Sequence, residues 1–65
     1  MNIKKSAKVM NARRETGMKD LAEYLKITGV YLSRMLGENN PKYIQDMANF
    51  YSVNVSDFIR EGEND

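Results

Sequence analysis

Apolar residues recur along this chain at the three- and four-residue spacing of helices that bury one face. Ile3, Ala7 and Met10 share one stripe with Val9 at its flank, while Lys4, Lys5, Lys8 and Asn11 are left to solvent. Leu21, Ala22 and Leu25 form a second stripe, and Leu32, Met35 and Leu36 a third. Ile44, Met47, Ala48 and Tyr51 form a fourth, with Phe50 at its edge. The pattern predicts helices over residues 3–15, 18–25, 29–36 and 41–51, with a short fifth after Asn54. The boundary residues fit. Gly17 can take the left-handed conformation that ends a helix, and Thr16 can cap the next one. Thr28 can cap the third helix, Gly37 can close it, and Asn40-Pro41 is a start signal for the fourth. Asn54 followed by Asp57 caps the last. The expected fold class is therefore all-α: a compact five-helix domain over residues 3–60, with residues 61–65 as a frayed acidic end.

Residues 18–37 organise the rest. Two short amphipathic helices lie three or four residues apart, with Ile27 placed to plug the corner between them. Ala22 is small enough to let two backbones cross closely at a steep angle. That arrangement is a helix-turn-helix. On the second helix, Leu32, Met35 and Leu36 turn inward, which leaves Gly29, Val30, Tyr31, Ser33 and Arg34 on the outward side.

Composition narrows the chemistry. Sixty-five residues make one small domain. The absence of Cys and His excludes disulfides, zinc sites of the usual ligands and His-dependent catalysis. No nucleophile–base pairing or phosphate-cradling glycine loop can be assembled, so neither an enzyme nor a cofactor or metal is expected. No apolar run approaches the roughly 20 residues of a bilayer span. Residues 1–8 lack the apolar segment of a signal peptide. The expected location is the cytoplasm, with no membrane contact.

A net charge of +1 conceals a strong asymmetry. Before residue 43 there are nine Lys and Arg against four acids. From residue 43 onward there is one base, Arg60, against Asp46, Asp57, Glu61, Glu63 and Asp65. The folded chain should carry a basic side, suited to a polyanion, and an acidic end.

Leu21, Ala22, Leu25, Ile27, Thr28, Leu32 and Ser33 match the pattern L-A-x-x-L-G-V-S-x-x-x-I-S-x-x. In this the chain resembles the phage Cro and repressor group of helix-turn-helix proteins, the XRE family with its lambda-repressor-like fold. The closing segment, residues 52–59, is similar to the family's G-V-S-x-x-x-L-L. The chain departs from the pattern at Lys26, where the family carries Gly because the turn demands positive φ. The resemblance implies a transcriptional repressor that occupies a palindromic operator on double-stranded DNA, in a bacterial cell or phage-infected host. Thr28, Gly29, Val30, Tyr31, Ser33 and Arg34 would face the base edges, with Arg34 as the principal reader. Met18, Lys19, Lys26, Asn39, Asn40, Lys42 and Tyr43 would hold phosphates. Val55, Phe58 and Ile59 would form the contact of a weak homodimer, completed on DNA. Arg13 would match a first-helix arginine paired with an acid after the recognition helix, here Glu38. No small-molecule ligand is expected. The alternative is a helix-turn-helix scaffold that binds protein, antirepressor- or antitoxin-like, favoured by the outward Val30 and Tyr31 and by the acidic end.

Overall fold

A computed structural model describes residues 1–63. Five helices follow in order: α1 Ile3–Arg14, α2 Met18–Leu25, α3 Gly29–Gly37, α4 Ile44–Phe50 and α5 Val55–Glu63. The described residues contain no strand. None of the helices is long and apolar enough to cross a membrane. One core joins all five, built from Ile3, Ala7, Met10, Leu21, Ala22, Leu32, Met35, Leu36, Met47, Ala48, Tyr51 and Phe58. The four stripes supply eleven of these twelve, all but Phe58, so spacing alone located most of the core.

Helix ends follow a rule that the sequence hid. The chain turns left-handed at Glu15, Lys26, Asn39 and Ser52, with φ between 56° and 59°, and no glycine has positive φ. The N–H after each reaches five residues back: Thr16 to Asn11, Ile27 to Ala22, Asn40 to Met35 and Val53 to Ala48, at 3.0–3.1 Å. These are Schellman closures, which satisfy carbonyls that a helix end leaves open. Gly17 is therefore not the left-handed residue; it lies extended at φ −124° as the N-cap of α2. Its N–H donates to the Asp20 carboxylate at 2.8 Å, so Gly17 fills the capping position expected of Thr16. Gly37 likewise lies within α3, and Glu38 and Asn39 close it.

Lys26 supports a stability test. It adopts φ 59°, ψ 41° despite its Cβ, which costs about 1 kcal/mol relative to glycine. Lys26→Gly should raise the melting temperature by about 4–8 °C. Thermal unfolding followed by circular dichroism would measure it, and a lower melting temperature would mean that the Lys26 side chain stabilises the corner.

Asn11, expected in solvent, is buried at the centre of a polar cluster. Its Oδ1 accepts from the Tyr51 hydroxyl at 2.7 Å and from the Thr16 hydroxyl at 2.8 Å. Burial raises the Tyr51 phenol well above its ordinary pKa, so it remains a donor. Arg14 adds a bond to the Tyr51 carbonyl at 2.7 Å. No buried side-chain polar atom among the described residues lacks a partner, and the cluster ties α1 to the end of α4.

The C-terminal end differs most from expectation. Residues 61–63, expected to fray, continue α5, which packs more extensively on α1 than any other pair of helices packs. Gly62 is buried against the first turns of α1. Glu61 pairs with Arg13 at 2.8 Å, which takes Arg13 away from the partner expected for it, Glu38. Asn64 and Asp65 of the expected tail lie outside the described residues.

Candidate nucleic-acid interface

The α2–turn–α3 pair presents one helix outward. Thr28, extended at φ −75°, ψ 155°, starts α3 by accepting the Tyr31 N–H on its hydroxyl at 3.1 Å. Leu32, Met35 and Leu36 anchor the helix in the core. Half-buried Ile27 packs against that core at the corner, as its position between the stripes implied. Thr28, Gly29, Val30, Tyr31, Ser33 and Arg34 are all exposed. Val30, at 83% exposure, is the most exposed large hydrophobic among the described residues. Among the described residues, Arg34 is held only by an exposed 3.5 Å contact with Glu38, one turn on. A pair in that setting is weak, so the guanidinium is free to exchange Glu38 for another acceptor.

The residues assigned to phosphates divide into two groups. Lys19 and Lys26 are exposed at opposite ends of α2, and Met18 is half-buried at its start. The cluster after α3 is arranged differently from the sequence expectation. The chain does not enter a helix at Pro41; residues 41–43 form a turn and α4 begins at Ile44. Asn40 organises that turn by accepting the Lys42 N–H on its side chain at 3.0 Å. The Lys42 ammonium lies 5.4 Å from the Tyr43 ring centre, a cation–π distance. Asn39 is committed to the fold: its Oδ1 accepts the Ile3 N–H at 3.0 Å and its Nδ2 donates to the Met1 carbonyl at 2.8 Å. It therefore ties the loop after α3 to the start of α1. One N–H of its exposed amide nitrogen is left over from these bonds.

Two cations that the sequence left as solvated surface stand beside α3. Lys4 and Lys8, one turn apart on α1, line the same pit as Gly29 and Ser33. The signal was available only in part. Their spacing puts them on one side of α1, but the contact of α1 with α3 depends on how the helices pack.

The expected dimer surface loses its aromatic member. Phe58 is fully buried and stacks on Tyr51, with ring centres 5.8 Å apart. Its size and shape fill the protein's own core, which leaves Val55 and Ile59 half-buried on α5.

No protein-family model, curated protein or solved structure matches this chain.

Proposed function

We propose that this protein binds double-stranded DNA sequence-specifically through α3 and represses transcription by occupying a palindromic operator. The observation that carries the reading is the outward face of α3. It exposes Ser33, Arg34, Val30 and Tyr31 together, and Lys4 and Lys8 flank the same helix. A helix fits the major groove, where arginine can bond both acceptors of guanine and apolar groups can pack on thymine methyls. The chain's basic surplus before residue 43 supplies the attraction to phosphates. One such helix reads only a few base pairs. Useful specificity therefore calls for two copies on half-sites about 34 Å apart, and Val55 and Ile59 on α5 are the apolar groups available for pairing them.

The test is selection of bound sites from randomised duplex DNA, followed by affinity measurements across salt concentrations. Binding should weaken steeply with salt. Replacing Lys19, Lys26 or Lys42 singly with Ala should each reduce the slope of log affinity against log salt by about one. The preferred sequence should stay the same. If no sequence is enriched and no duplex is bound at low salt, the reading is wrong. The exposed Val30 and Tyr31 would then favour a scaffold that binds protein through α3.

A further inference from the structure

Between α1, the start of α2 and α3 lies a pit of about 120 Å³, lined by Lys4, Lys8, Met18, Gly29, Leu32, Ser33 and Leu36. Its wall is mostly apolar. Leu32 and Leu36 are buried and Met18 half-buried, so they make the floor; Lys4, Lys8, Gly29 and Ser33 are the exposed residues of the lining. Neither Lys4 nor Lys8 has an acidic partner among the described residues, so each ammonium can swing over the opening on its flexible stem. The volume is a little below the roughly 150 Å³ of an apolar cavity that admits benzene. An occupant must therefore be small, apolar at one end and negatively charged at the other.

We propose that the pit binds a small organic monocarboxylate with an apolar body about the size of a benzene ring. The carboxylate meets Lys4 and Lys8 over the opening, with the Ser33 hydroxyl as a further donor, and the body covers Leu32, Leu36 and Met18. Occupation weakens DNA binding, because it neutralises two cations beside α3 and covers Gly29 and Ser33. That second consequence rests on the DNA-binding reading; the ligand site itself does not.

Benzoate is a suitable probe, with benzamide as the uncharged body and acetate as the charge without a body. Amide shifts of the labelled protein should move saturably with benzoate in the millimolar range typical of so few contacts. The affected residues should cluster at Lys4, Lys8, Met18, Gly29, Leu32, Ser33 and Leu36. Benzamide and acetate should each bind at least about tenfold more weakly, and K4Q/K8Q, shown to be folded by circular dichroism, should lose the preference for benzoate over benzamide. Scattered or unsaturable shifts would overturn the site, as would equal binding of benzamide or of acetate. At matched ionic strength, saturating benzoate should lower affinity for a selected duplex about tenfold in the wild type and little in K4Q/K8Q. An unchanged affinity would overturn the coupling and leave the ligand site standing. A wild type that binds no duplex without benzoate would count against the DNA-binding reading instead.

Discussion

Gly62→Ala is expected to lower the melting temperature by about 8–16 °C, equivalent to roughly 2 kcal/mol for a domain of this size. Adding a methyl group inside a helix would ordinarily help, by up to about 1 kcal/mol. Here the new Cβ would fall well inside contact distance of the Ser6 hydroxyl and the Asn2 carbonyl oxygen, and at 3.0 Å from the Ser6 nitrogen. The hydroxyl can rotate away. The Asn2 carbonyl cannot, because it already accepts the Ser6 N–H at 3.0 Å in the first turn of α1. Relief requires α5 to back away from α1, the most extensive helix pairing in the fold, and such overpacking costs about 1–3 kcal/mol. The double variant S6A/G62A separates the two obstacles. It should remain nearly as unstable as Gly62→Ala alone, since the backbone contact persists. Recovery of wild-type stability would show that only the hydroxyl was in the way, and an undiminished melting temperature for Gly62→Ala would mean that the two helices pack less tightly than described.

The same glycine shows where sequence reading stops. Helical stripes depend on spacing within one segment, so they identified four helices and nearly all of the core without reference to a partner. Residues 61–63 carry no stripe of apolar side chains. Gly62 is the buried one of the three, and its having no side chain at all allows α5 to approach α1 closely. The left-handed turns were hidden for a related reason. Glycine is preferred at such positions by only about 1 kcal/mol, less than a well-packed helix end with its extra hydrogen bond can recover. Glu15, Lys26, Asn39 and Ser52 therefore close helices, while the glycines serve elsewhere. Asn11 was misjudged because its partner Tyr51 lies 40 residues away, and the tie of Asn39 to Ile3, across 36 residues, was out of reach for the same reason. At the candidate interface, the outward side of α3 was legible from its stripe, whereas the position of Lys4 and Lys8 depends on the packing of α1.

Arg34→Ala should relax the choice of base at one symmetric pair of operator positions. A guanidinium that meets both acceptors of a guanine contributes about 1–3 kcal/mol of discrimination, whereas a phosphate contact adds affinity without preference. Arg34 is the one long cation within α3. Its side chain is 74% exposed and its contact with Glu38 is a long, solvated one, so the fold sets little resistance to its reaching a base edge. Arg34→Lys should recover attraction but only part of the specificity, because a single ammonium lacks the planar fork. Glu38→Gln supplies a control for the intramolecular pair: it should leave base choice intact, since the neutral amide only frees Arg34 sooner. Wild type and the three variants, each checked for folding, would be compared by selection from randomised duplexes and by affinity for the selected site. Arg34→Ala should lose its preference at the paired positions alone. If every variant selects the same bases and they differ only in yield, Arg34 anchors a phosphate, and the proposed seating of α3 in the major groove has to be abandoned.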